Sequence, residues 1–166
     1  MSERRAVSRT RRETAASVDA ADPQSAELRS LYARHTPAAA LGSDDPDDAT
    51  AALAEAARAH LRLATHREPG DPIVDIRGAV PAGTAVVDVI SDDVPFLVQS
   101  VLAGVGRVGL RVRRVIHAMV VVRRTSRGEL AEVLPAVAPE EPPAGTLVEE
   151  WMRLELDPIS TEENED

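Results

Sequence analysis

Residues 91–124 read SDDVPFLVQSVLAGVGRVGLRVRRVIHAMVVVRR. The order of periodicities within this stretch decides the fold. Its GVGRVG at 104–109 has the G-x-G-x-x-G spacing of a dinucleotide-binding turn, and an acid, Glu129, stands about 20 residues further on. That fingerprint needs a strand, then the glycine turn, then a helix, so that the pyrophosphate meets a helix N-terminus. Here the order is reversed. Asp92 and Asp93 stand where an N-cap belongs, and Pro95 falls in a first helical turn. Leu97, Val101, Val105 and Val108 then recur at helical spacing. After the glycines, 110–124 alternates and is rich in β-branched residues, which suits a strand. The glycines are therefore expected to close a helix, with Gly109 left-handed at its end and Gly104 and Gly106 allowing close helix-to-sheet packing. A small Rossmann-like nucleotide site, which would make FLVQSVL a strand, is the weakest of three readings.

In 110–124, Leu110, Val112, Ile116, Ala118, Val120 and Val122 fall on one face, and Arg111, Arg113, His117 and Arg123 on the other. Arg114 breaks the apolar side. A straight strand of this length would span roughly 50 Å, so a bulge or bend is expected between Arg114 and Ala118. Upstream, IVDIR (73–77) and TAVVDVI (84–90) read as strands around a PAG turn (81–83). Before them lie a short helix at Ala26–His35 and an Ala-rich helix that follows the acidic GSDDPDD (42–48) and stops before Pro69-Gly70. Downstream, 125–146 reads as a long hairpin connection and 147–157 as the last strand. On that strand Val148, Met152, Leu154 and Leu156 share one face, and Glu149, Trp151, Arg153 and Glu155 the other, where the acids can pair with neighbouring arginines.

The resulting organisation is a polar, disordered basic N-terminus (1–23), a helical segment (24–68), an α/β sandwich (72–157) and an acidic tail (158–166). The fold class is α+β. From 84 onward the order is β-α-β-β, an incomplete ferredoxin-like unit lacking its last helix and strand, to be completed by a partner or by a longer polypeptide.

Composition narrows the function. The 166 residues carry a net charge of -9, a poor balance for general nucleic-acid binding. All the basic residues are Arg, and no Cys is present to form a disulfide or a thiolate metal site. No apolar run approaches a membrane span, and no apolar segment follows the N-terminal Arg pairs to make a secretory signal, so a cytoplasmic protein is expected. His60 and His66 lie about 120° apart around a helix, which does not suit paired metal ligation.

The same stretch, 88–124, resembles the N-terminal ACT-like domain of the large bacterial NAD-specific glutamate dehydrogenases. That family carries a D-D-x-P-F-L-V-x-S-V motif, a G-L strand entry and an H-P-V-x-x-V-R segment. The matching residues are Asp92, Asp93, Pro95, Phe96, Leu97, Val98, Ser100, Val101, Gly109, Leu110, His117 and Arg123. EEWMRLELD matches a later family segment through Glu150, Trp151, Glu155 and Asp157, and LYARH and HLRLATHREPG match upstream patterns. Ala118 replaces a usual Pro, and Glu150 a common Ser.

The resemblance, over roughly 24–157, implies an ACT-like fold in an enzyme that deaminates L-glutamate to 2-oxoglutarate with NAD. The catalytic domain, its lysines and its Rossmann loop have no counterpart here. This segment is therefore expected to hold no catalytic residue, metal or cofactor, and to serve regulation or assembly with other domains or subunits, in a homo-oligomer at full length. A free-standing ACT-type amino-acid sensor that modulates a partner enzyme is the alternative. The resemblance points to the turn at Asp92, Asp93, Pro95 and Phe96 for an amino-acid effector, with helix capping as the simpler role. His117, Trp151, Arg111, Arg113 and Arg123 are interface candidates, Trp151 as an exposed aromatic among charges.

Overall fold

The computed structural model describes residues 22–78 and 84–158. The expected PAG turn at 81–83, the N-terminal 1–21 and the tail from 159 onward lie outside the described residues. Among the described residues, three helices, α1 (Pro23–His35), α2 (Pro46–Leu63) and α3 (Leu97–Arg107), accompany five strands. The strands are β1 (Ile73–Arg77), β2 (Ala85–Asp92), β3 (Val112–Arg124), β4 (Leu130–Val133) and β5 (Leu147–Leu156). A single 3-10 turn, Ala38–Leu41, links α1 to α2.

Local chemistry sets the helix starts. Asp22 and Asp45 cap α1 and α2 by accepting from the backbone N–H two residues on, at 3.1 Å and 3.0 Å. A proline follows each cap, at a position whose N–H has no helical partner anyway. Asp47 and Asp48 then favour the positive end of α2.

The sheet runs in the order β1-β2-β5-β3-β4, and every neighbouring pair is antiparallel. β2 and β3 are therefore parallel to each other with β5 between them, joined by α3 as the crossover. This is the split β-α-β of a ferredoxin-like unit. β1 occupies the edge beside β2 where the fourth strand of a complete unit lies. A strand from upstream thus covers that edge.

The two faces are packed differently. On one, Ile90, Ile116, Ala118, Val120, Val122 and Trp151 meet Leu28, Leu31 and Tyr32 of α1 and the small stripe Ala52, Leu53, Ala56 and Ala57 of α2. On the other, Val89, Met152, Leu154 and Leu156 meet Val98, Val101, Leu102 and Val105 of α3. No residue of α3 is fully buried, so this helix holds the sheet less firmly than α1 and α2 do.

Several expectations are corrected. β2 continues through Ser91 and Asp92, which pair with Glu150 and Glu149 of β5. Sheet pairing takes those residues out of the cap position, and α3 starts only at Leu97, after Pro95. Its N-cap is Phe96, left-handed at φ 62, with no side-chain cap bond. The bulge in β3 lies between Val112 and Arg114 instead of beyond Arg114. It turns Val112 towards α3 and leaves Arg114 buried. The 125–146 connection contains β4. Val108 is 71 % exposed and lies outside the apolar stripe of α3.

The glycine question is settled by hydrogen bonding. Gly109 is left-handed at φ 77. Its N–H donates to Gly106 O (3.1 Å) and that of Leu110 to Val105 O (3.2 Å), the paired bonds of a Schellman helix end. GVGRVG therefore lies at a helix C-terminus, which offers carbonyls and no phosphate-binding N–H groups. A Cβ on Gly104 or Gly106 would meet nothing within 4 Å, so neither glycine serves close packing. Gly104→Ala and Gly106→Ala should each stabilise the protein by about 0.5–1 kcal/mol, as alanine does in an open helix interior. Gly109→Ala should cost roughly 1–2 kcal/mol. Thermal melts of the three variants check this; a destabilised Gly104→Ala would restore the close-packing role.

Candidate functional site

The densest polar chemistry lies under the helices α1 and α2, where Asp88 is fully buried at the centre of β2. Such a carboxylate must be matched by donors in place of water. Arg153, opposite it on β5, donates Nε to Oδ1 (2.8 Å) and Nη2 to Oδ2 (2.9 Å). Arg77 of β1 also donates to Oδ2. From α2, the His60 ring lies with Nε2 3.0 Å from Oδ1 and Nδ1 2.5 Å from the Tyr32 hydroxyl.

Burial holds the His60 pKa below its ordinary value, against the pull of Asp88. The neutral ring thus donates Nε2–H to Asp88 and accepts from Tyr32, whose own pKa burial and Asp88 push up. Burial alone would raise the Asp88 pKa, yet the hydrogen bonds from His60 and Arg153 hold it well below the usual carboxylate range. Trp151 packs edge-on to His60, with ring centres 6.1 Å apart.

A second centre forms around Glu149 of β5, also fully buried. It accepts from Arg67 Nε (3.0 Å) and Nη2 (2.8 Å), Arg124 Nε (2.7 Å) and Nη2 (3.0 Å), and Trp151 Nε1 (2.9 Å). Against the upward push of burial, these donors hold its pKa down. Arg67 also reaches Asp92 (2.5 Å) and Asp71 O (3.1 Å), and so fastens the loop after α2 to the end of β2. Buried Arg114 ties Leu41 O (2.6 Å) to Glu155 (2.8 Å) and Asp48 (2.5 Å). With these carboxylates taken by guanidinium groups and the histidine enclosed, the layer is built to orient helices on a sheet.

The α3 face is open. Ser91 and Glu150 pair at the end of β2 from which the chain turns into α3. His117 Nδ1 lies 2.9 Å from Glu150 Oε1. That hydrogen bond raises the His117 pKa above its ordinary value, outweighing partial burial. The turn itself is exposed from Asp93 through Phe96, with Phe96 75 % exposed. No side chain caps the start of α3, and its first N–H, that of Leu97, donates to Val94 O (3.2 Å).

The structure places the candidates read from the sequence as follows. Asp93, Pro95 and Phe96 remain together on the exposed turn, while Asp92 is taken by Arg67. His117 joins Glu150 on the α3 face. Trp151 is fully buried instead of exposed, because the Glu149 carboxylate satisfies its N–H inside the core. Arg111 and Arg113 are exposed, and Arg123 pairs with Glu132 at 3.2 Å. Sequence reasoning passed over Tyr32, His60, Arg67, Asp88 and Arg124. The available signal was an acid, Asp88, in the middle of a run of valines.

The sequence model of the family described as glutamate dehydrogenase, ACT1 domain, matches residues 28–166. No solved structure matches the chain.

Asp88→Asn should cost roughly 3–5 kcal/mol in urea unfolding, because Arg153 then lies buried without its counter-charge. Asp88→Leu combined with Arg153→Met should cost less than the single change. In NMR titrations His117 should titrate above 6.5 and Glu150→Gln should bring it down, while His60 stays neutral to below 6.5. The signs then differ. The His117 contribution to stability is full below 6.5 and is lost as pH rises through its raised value. The His60 contribution is full above 6.5 and is lost as pH falls towards its lowered value.

Proposed function

The chain belongs to the glutamate dehydrogenase ACT1-domain family, and we propose that it is the N-terminal regulatory and assembly segment of an NAD-specific, cytoplasmic bacterial enzyme. That enzyme would convert L-glutamate, NAD and water to 2-oxoglutarate, ammonia and NADH on a catalytic domain outside this chain. The carrying observation is that the family match spans a fold whose two fully buried acids, Asp88 and Glu149, are each neutralised by arginine. Such polar chemistry supports a rigid module that docks and transmits, and leaves turnover to other residues. NAD is a cofactor of the whole enzyme in this reading; the helix end at GVGRVG does not hold it. Other domains or subunits of the same enzyme are the partners.

Effector binding at the β2–α3 turn is a second element of the proposal. The uncapped α3 N-terminus favours a carboxylate, and Asp93 is the acid left to meet an ammonium. The same turn would serve a free-standing sensor that modulates a separate enzyme. Removing this segment from the dehydrogenase should leave NAD-dependent glutamate turnover measurable while changing subunit assembly or the response to amino acids. Unchanged assembly and response would contradict the proposal. Calorimetric titration of the chain with L-amino acids should show binding that Asp93→Asn weakens by about tenfold or more, the loss of one charge-assisted contact. Binding that the variant leaves intact would exclude the turn.

A further inference from the structure

The two edges of the sheet are unlike. β4 is short, follows a register shift in β3, and carries Glu132 against Arg123. These are the ordinary devices that keep an edge from pairing with another chain. β1 shares the charge, with Asp75 against Arg77, but it has no register shift. It is a regular five-residue strand, IVDIR, in continuous register with β2 from Ile73 to Arg77. It also exposes two aliphatic side chains on the α3 face, Val74 at 57 % and Ile76 at 70 %. On the helix face an open cleft of about 200 Å³, lined by Ala59, Arg62, Leu63, Asp75 and Arg77, runs beside the strand. The outward backbone groups of β1 are thus reachable from both sides.

We propose that β1 is a self-pairing edge: a second copy of this chain adds its own β1 antiparallel about a two-fold axis through Ile76, joining two sheets into one. Charge selects both occupant and register. Antiparallel self-pairing about Ile76 sets Ile76 against the second copy's Ile76, and Asp75 against its Arg77, twice by symmetry. Val74 then lies opposite Gly78, which carries no side chain. Within one chain Asp75 and Arg77 already pair at 2.8 Å, with side chains 42 % and 43 % exposed. The dimer would extend this pair into an alternating four-charge row on one face and an aliphatic contact on the other. Pairing about Asp75 would oppose two aspartates. Pairing about Val74 would place Pro72, which has no N–H to donate, within the ladder. The inference rests on the edge alone and is independent of the effector site proposed at the β2–α3 turn.

The contact is small beside standard interfaces, so the test uses sedimentation velocity of the chain from about 5 µM to roughly 500 µM. A monomer–dimer shift is expected, and Ile76→Lys should abolish it while leaving the circular dichroism spectrum unchanged. The chain contains no cysteine, so single-cysteine variants report the register. Ile76→Cys should oxidise to a disulfide-linked dimer. Val74→Cys should not, because its two copies lie roughly 13 Å apart along the ladder, beyond disulfide reach. A chain that stays monomeric throughout, a dimer indifferent to Ile76→Lys, or cross-linking through Val74 in preference to Ile76 would each overturn the proposal.

Discussion

Asp88 imposes the condition on which the rest of the structure depends. It lies at the centre of β2 under two helices, in a layer otherwise filled by Ile90, Ile116 and Trp151. A carboxylate there is tolerated only where its donors are already in place. Those donors arrive from three elements: Arg153 from β5, Arg77 from β1 and His60 from α2. Tyr32 extends the set to α1. Satisfying one acid therefore fixes the order of three strands and the seating of two helices. Glu149 repeats the logic one end away, with Arg67 and Arg124 drawing in the loop after α2 and the end of β3. Aliphatic packing supplies the bulk of the burial, and the arginine–carboxylate pairs specify which arrangement is buried.

This division explains what could be read from the sequence. Strands with clear alternation, such as 73–77, and the Leu and Val stripe before Gly109 declare themselves by local period. The β-α-β-β order follows from them, as does the resolution of GVGRVG as a helix end. The failures share one cause, which is tertiary pairing overriding a local signal. Asp92 looks like a cap, yet continued pairing with β5 and the reach of Arg67 hold it in the sheet. Trp151 looks exposed because charged residues flank it on its face, yet those charges are themselves buried and one of them binds its N–H. Tyr32, His60 and Asp88 are each 28 residues from the next, and no periodicity links residues so far apart. The two strands read on either side of the PAG turn do pair as neighbours, β1 with β2.

The uneven covering of the two faces bears on function. One face is locked by buried charge and closed by α1 and α2. The other carries a single helix without a fully buried residue, an uncapped helix start and the half-exposed His117–Glu150 pair. A module with one rigid face and one adaptable face suits a segment that relays between subunits.

If this chain works as part of a much larger glutamate dehydrogenase, as proposed, the native polypeptide reveals it. An antibody to this region, applied to an immunoblot of source-cell extract and to the matching native gel stained for glutamate-dependent NAD reduction, reads mass and activity together. The account predicts a denatured band many times larger than 17.7 kDa, coincident with the activity on the native gel. A band at 17.7 kDa, separate from the activity, would contradict it and leave the free-standing sensor in its place.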